Sequence, residues 1–235
     1  MLMPPRFDDP AWLDAQYNNR ARVADAMTQL AKWAEASALV RQRSARHMLD
    51  LRYGDGPSET LDVFAAAAPN APVLIYIHGG YWRSLDKSDF SFIAPSFVAD
   101  GAMVVVPNYA LCPAVSVEDI ALQMVKAVAW TWRHAAAHGG NPDRIALVGH
   151  SAGAHLAAML LSCRWKQVDE ALPLQPLAGA LAISGLYDLE PIRRTEFLQV
   201  DLKLTAAQVN RLSPAFFPRP KAGKLYAVVG ADESD

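Results

Sequence analysis

Cysteine is scarce in this chain. Cys112 and Cys163 are the only two in 235 residues, and they are not spaced as a C-x-x-C pair. A disulfide framework is therefore not expected, and both thiols read as small buried hydrophobes. Long apolar runs are missing too. No stretch of 18 apolar residues is present to span a bilayer. The first ten residues, Met1 to Pro10, lack the continuous apolar core of a secretory signal. The expected setting is cytoplasmic. Charge of either sign is not in excess. The net charge is −2, and basic residues occur singly or in short clusters such as Arg41-Gln42-Arg43, which read as a solvated face. Neither nucleic acid nor an anionic membrane is expected as a partner. No internal repeat or low-complexity tract interrupts the chain.

What remains is a chain with 52% hydrophobic residues. It has the length of one α/β domain and enough apolar mass to fill its core. Residues 9–43 show helical spacing, with Asp8 or Asp9 as N-cap and Pro10 in the first turn. Residues 1–44 are thus expected as a helical N-terminal segment packed on the rest. Residues 45–53 and 60–65 read as a hairpin-like pair of strands around Gly54-Asp55-Gly56-Pro57. From residue 72 strands and helices alternate. Strands are expected at 73–77, 103–106, 145–148, 178–183 and 225–229, and helices at 87–99, 117–138 and 152–163. Continuous apolar strands alternating with helices predict a mostly parallel sheet covered on both faces. The stretch 187–222, with four prolines, reads as an irregular excursion on the substrate side.

Two of these strands end in motifs that carry chemistry. One is Gly149-His150-Ser151-Ala152-Gly153, between an apolar strand and a helix, the setting of a nucleophile elbow. A serine hydroxyl is a poor nucleophile unless it has a base beside it and an exposed, strained perch. The flanking glycines supply the perch by letting strand and helix approach closely. The other motif is His78-Gly79-Gly80-Tyr81-Trp82, also directly after a strand. Glycines there let backbone N–H groups approach a substrate oxygen. Ser151 is therefore the candidate nucleophile, and the N–H groups of Gly80, Tyr81 and Ala152 the candidate oxyanion hole.

The strand 225–229 is followed by a carboxylate pair, and either Asp232 or Glu233 fits the acid of a Ser–acid–His triad. Asp188, after the preceding strand, is a further candidate, though a carboxylate capping the next helix is its other reading. None of the six histidines falls after the acid, where that triad order requires the base. His78 reads instead as a residue that orders its own loop. The chain stops at Asp235, so a C-terminally incomplete domain of 235 residues is the expectation.

Several segments together resemble the kynurenine formamidase (arylformamidase)-like branch of the α/β-hydrolases, related to the hormone-sensitive-lipase-type esterases. They are Tyr17-Asn-Asn-Arg20, Leu61-Asp-Val-Phe64, His78-Gly-Gly-Tyr-Trp82, Pro107-Asn-Tyr109, Gly149-His-Ser-Ala-Gly-Ala-His155, Ser184-Gly-Leu-Tyr-Asp-Leu189 and Leu212-Ser-Pro214. The resemblance implies an α/β-hydrolase fold and a cofactor-free serine hydrolase without metal, acting on a small ester or an aryl formamide. It implies an acyl-enzyme on Ser151 and an oxyanion loop at 78–82. Tyr81 and Trp82 would then wall the substrate pocket, a core role for Trp82 being the other reading. It further implies a histidine some thirty residues beyond the acid, a closing strand and helix, and often a homodimer. A chain lacking that histidine would be an incompetent fragment or pseudoenzyme. A thioesterase or acyltransferase with the same nucleophile is the remaining reading.

Overall fold

Residues Ala71–Ile77 and Met103–Pro107 are apolar at almost every position, and both form strands buried on both faces. Helices must cover such a sheet on each side. In the computed structural model, which describes residues 7–220 and 222–234, they do. In chain order the elements are α1 (Pro10–Tyr17), α2 (Asn19–Arg22), α3 (Ala26–Arg43), β1 (His47–Arg52), β2 (Thr60–Phe64) and β3 (Ala71–Ile77). Then come α4 (Ala94–Ala99), β4 (Met103–Pro107), α5 (Val117–His134), β5 (Gly140–His150), α6 (Ala152–Leu161) and α7 (Trp165–Val168). The last are β6 (Leu177–Ile183), α8 (Glu190–Arg194), α9 (Glu196–Leu202), α10 (Ala206–Leu212) and β7 (Lys224–Val228).

The seven strands form one sheet in the order β1-β2-β4-β3-β5-β6-β7. The first two pairings are antiparallel and the other four parallel. All five parallel strands therefore end at the same edge. β3 and β5 are neighbours, with Ile77 opposite Gly149. That register brings the loop starting at His78 and the turn at Ser151 together, although they are far apart in sequence. β7 is one of the sheet's two edge strands, and its apolar side chains, Tyr226 among them, are exposed.

Several boundaries differ from those the sequence predicts, each for a local reason. The helix expected over 9–43 is three helices, because Asn18 caps α2 with its side chain and residues 23–25 leave the helical path; residues 1–6 of that N-terminal segment lie outside the described residues. The helix expected over 87–99 is two 3₁₀ turns followed by a short α4, with Pro95 confined to the first turn, the position where its missing N–H costs nothing. α5 stops at His134 and continues only as a 3₁₀ turn ending at Gly139, whose φ is +85°. α5 starts where a capping box predicts it, Ser116 and Asp119 each satisfying the other's backbone N–H. The excursion 187–222 is not irregular, since it contains α8, α9 and α10.

One buried ion pair ties the strand pair to the loop above it. Lys87, 5% exposed, reaches Asp62, fully buried on β2, at 2.5 Å and Asp50 at 2.8 Å. Burial alone would depress the ammonium, but the two carboxylates hold it above its ordinary value. Removing one partner strands a buried charge. Asp62→Ala is expected to cost about 3–5 kcal/mol, and Asp62→Leu with Lys87→Met to recover most of it. Thermal melting checks this: a fall of roughly 10 °C for the single variant and a smaller one for the double variant are expected.

Among the described residues no helix is long and apolar enough to cross a membrane. A cavity of about 620 Å³ lies between α3, α4 and the end of β2, lined by Val40, Phe64, Pro95 and Val98. Phe64 pairs with Val104, at the start of β4, so this cavity opens at the sheet end opposite the two motifs.

Candidate active site

Ser151 sits between β5 and α6 at φ +55°, ψ −119°. That conformation is strained for a residue with a Cβ and costs on the order of 1–3 kcal/mol. The neighbours hold it there. Its N–H donates to the Ile183 carbonyl at 2.8 Å, and its carbonyl accepts from Ala154 and His155 in the first turn of α6. The turn closes because Gly153 packs on the end of β3. A Cβ at Gly153 would lie 2.0 Å from the Ile77 carbonyl oxygen. The Ser151 hydroxyl has no protein hydrogen-bond partner among the described residues. The N-terminus of α6, ten residues long, starts beside it and favours negative charge there.

The loop after β3 faces this turn. A Cβ at Gly79 would come within 3.1 Å of the Ser151 Cβ, so the two backbones are in contact. Beyond it the chain turns sharply. Tyr81 and Trp82 have φ of +51° and +55°, and the Arg83 N–H donates to the Gly80 carbonyl at 3.1 Å. Two successive positive φ values closed by that bond are the signature of a type I′ turn, usually filled by Gly, Asn or Asp. Two aromatic residues occupy it here, an arrangement with no signal in local sequence. Gly80, Tyr81 and Ala152 donate their backbone N–H groups to no protein acceptor among the described residues.

His78 is fully buried and stacked between Phe90 and Tyr109. Its Nδ1 donates to the Gly79 carbonyl at 2.7 Å, and the Tyr109 hydroxyl donates to the His78 carbonyl at 2.9 Å. Burial pushes its pKa down despite these bonds, so it is a neutral structural ring. Asn108 holds the same loop from below. Its amide donates to Asp86 at 2.6 Å, its oxygen accepts from the Lys87 N–H at 3.2 Å, and its carbonyl accepts from the Tyr53 hydroxyl at 2.6 Å. Sequence reasoning met Asn108 only within the family-like segment Pro107-Asn-Tyr109 and missed it as an anchor.

Trp82 does not wall a pocket. It is 0% exposed and packs edge-on to His155 at 5.0 Å, inside the main core. The strained turn directs its indole down into the domain, so its core reading replaces its pocket reading. Tyr81 is different: it is partly exposed, and its ring meets Phe197 of α9 edge-on at 6.4 Å. Its hydroxyl donates to the Tyr17 carbonyl at 2.7 Å. Arg83 clamps α9 from the same loop, reaching Asp201 at 2.6 Å and the Phe197 carbonyl at 2.8 Å. α1 and α9 thus lie against the loop after β3.

His155 donates through Nε2 to the Leu212 carbonyl at 2.7 Å, and burial lowers its pKa from 6.5 to about 4. The unfolded chain therefore binds a proton that the folded one refuses between these values, so stability falls as pH drops through that window. Wild type is expected to lose about 2 kcal/mol more than His155→Gln between pH 7 and pH 4.5, measured by urea unfolding. Equal losses would contradict the assignment.

At the end of β7, Glu233 folds back on the sheet. Its carboxylate accepts from the Ser184 hydroxyl at 2.5 Å and the Gly230 N–H at 2.9 Å. Its charge raises the pKa of His150, next to Ser151, against a larger downward push from burial. Asp232 is exposed and makes no side-chain bond among the described residues. Asp188 accepts from the Glu190 N–H at 2.9 Å and so caps α8. No histidine ring among the described residues hydrogen-bonds the Ser151 hydroxyl.

Known proteins are similar to this chain in sequence and in fold. A family model described as BD-FAE matches residues 61–187, which include both motifs. The chain belongs to this family, and it is an arylformamidase-like α/β-hydrolase. Over 184 residues it is 37% identical to a kynurenine formamidase of Danio rerio, covering 77% of this chain and 60% of the relative. Over 173 residues it is 36% identical to one of Salmo salar, covering 73% and 56%. The chain thus spans about 60% of the length of the curated relatives it matches. A solved structure from Silicibacter sp. TM1040, described provisionally as a thioesterase, superimposes with a TM-score of 0.83 at 32% identity, covering 94% of this chain and 81% of that one. Esterase B from Lactobacillus rhamnosis, at 18% identity and a TM-score of 0.65, covering 85% and 73%, shares the fold.

Proposed function

We propose that the chain carries the acylation site of a serine hydrolase that cleaves a short acyl ester or an aryl formamide of the N-formylkynurenine kind. The observation that carries this is the meeting of a strained serine with three unspent N–H groups. Ser151 stands at φ +55°, and the N–H groups of Gly80, Tyr81 and Ala152 around it have no protein acceptor among the described residues. In this reading a carbonyl attacked by the Ser151 hydroxyl presents its oxygen to those donors, which bind the oxyanion as it forms.

In the reaction, the Ser151 oxygen attacks the carbonyl while a base takes its proton. The tetrahedral intermediate collapses, expelling an alcohol or amine that takes the proton back. Water then releases the acyl group by the same steps in reverse order. Glu233 is the better of the two acids for orienting the base, since its carboxylate is held at the sheet end while Asp232 points into solvent. The base itself is proposed to be a histidine outside the described residues, given that the relatives are longer. The kynurenine formamidases favour a formamide substrate. The Silicibacter likeness favours a second reading, a thioester electrophile at the same serine.

The test is turnover by the full-length protein. N-formylkynurenine and p-nitrophenyl acetate are both expected to be hydrolysed. Faster cleavage of a short acyl-CoA than of either would support the thioesterase reading, and inertness toward all three would overturn the hydrolase one.

A further inference from the structure

We propose that Ser84 and Arg20 are positioning residues that aim the Tyr81 N–H at the substrate oxygen, an inference that rests on the hydrolase reading above. The Gly80 carbonyl accepts two bonds, from the Arg83 N–H at 3.1 Å and from the Ser84 hydroxyl at 3.0 Å. The peptide from Gly80 to Tyr81 is planar and trans, so its C=O and N–H point in opposite directions. Anchoring the oxygen on one side therefore fixes the hydrogen on the other. That N–H, like those of Gly80 and Ala152, has no protein acceptor among the described residues.

Arg20 decides where the Ser84 hydroxyl sends its single hydrogen. Its Nη2 lies 2.9 Å from Ser84 Oγ. A guanidinium only donates, so Ser84 must accept from Arg20 and is left to donate to Gly80. A serine without that neighbour could turn its hydrogen to solvent. The arrangement answers a need of the turn itself. Tyr81 and Trp82 at positive φ cost on the order of 1–2 kcal/mol each, so a turn held only by its own backbone bond would relax. A second tie comes from the same upstream segment. The Tyr81 hydroxyl donates to the Tyr17 carbonyl at 2.7 Å and accepts from the Asn19 side chain at 3.4 Å. The segment around α2 is thereby part of the oxyanion turn and not only a cover for the sheet.

The experiment is steady-state hydrolysis of p-nitrophenyl acetate by the full-length protein and its variants. Losing a whole oxyanion donor costs about 100–1000-fold, so a donor mis-aimed in Ser84→Ala is expected to lower kcat about 10–100-fold with KM within about twofold. Ser84→Thr keeps the hydroxyl and is expected to retain most of the rate. Arg20→Ala, on the exposed segment, is expected to lower kcat about 3–10-fold alone and to add nothing to Ser84→Ala, because both act through one bond. A Ser84→Ala kcat within twofold of wild type, or effects of the two substitutions that multiply, would overturn the inference and leave the hydrolase reading standing. An inert wild type, or a Ser151→Ala variant that keeps its rate, would overturn both.

Discussion

Ser151→Ala is expected to lower kcat for p-nitrophenyl acetate by about 10⁴–10⁶-fold, with the fold and the melting temperature unchanged. The size follows from what the substitution removes. In the proposed mechanism the Ser151 oxygen forms the new bond, so the path through an acyl-enzyme disappears with it. What survives is attack by water on a carbonyl still polarised by three N–H groups, and such residual catalysis is about 10³–10⁴-fold over the uncatalysed rate. KM should move little, because the hydroxyl has no protein partner among the described residues whose loss would disturb the site. Pre-steady-state release of p-nitrophenol gives the sharper readout. Wild type should show a burst equal to its active sites if deacylation limits the rate, and the variant none. A variant retaining a tenth of the rate would mean that another group is the nucleophile.

The turn at Ser151 and the start of the loop facing it are legible in the sequence because their signals are local. A glycine two before and two after a serine, following β5 and preceding α6, leaves few alternatives to a tight strand-to-helix turn. The loop after β3 has the same local clarity up to Gly80. Its continuation does not. Tyr81 and Trp82 at positive φ break the usual turn chemistry, and only tertiary ties hold them. Those ties come from Tyr17 and Arg20, more than sixty positions away, and no periodicity in the sequence reports a contact of that span. The same blindness explains Trp82. An aromatic residue beside a candidate site can face the substrate or the core, and the choice here is made by a backbone conformation that local propensity disfavours. α8, α9 and α10 are hidden for another reason. Each is seven residues or fewer and lies among prolines, too short for a helical period to emerge. The Thr205–Gln208 capping box at the start of α10 is the one signal present. Between Asp232 and Glu233 the spacing from Gly230, at the strand end, already favours Glu233, and the tie of Glu233 to Ser184 at the end of β6 is a contact that no sequence pattern reports.

The elbow itself supplies the second large effect. Gly153→Ala is expected to destabilise the protein by on the order of 5 kcal/mol, beyond the range of about 1–3 kcal/mol for ordinary overpacking. The added methyl would lie 2.0 Å from the Ile77 oxygen, 2.6 Å from its carbon and 2.7 Å from the His78 oxygen. All three are backbone atoms, and Ile77 belongs to a fully buried strand bonded to β5 along its length. No side chain can rotate away. Relief requires α6 to lift off β3, which separates Ser151 from the loop after β3. A loss of that size is comparable to the whole stability of many domains, about 5–15 kcal/mol, so little soluble protein is expected. Gly56→Ala is the fitting comparison. There the nearest atom is Glu59 Oε2 at 3.1 Å, the end of a side chain that can shift by the few tenths of an ångström needed. A cost under about 1 kcal/mol follows, and urea unfolding of the two variants separates the cases. If Gly153→Ala unfolded at the same denaturant concentration as Gly56→Ala, the contact between helix and strand would be loose. The close approach of the Ser151 turn to the loop after β3 would then have to be held by something other than Gly153.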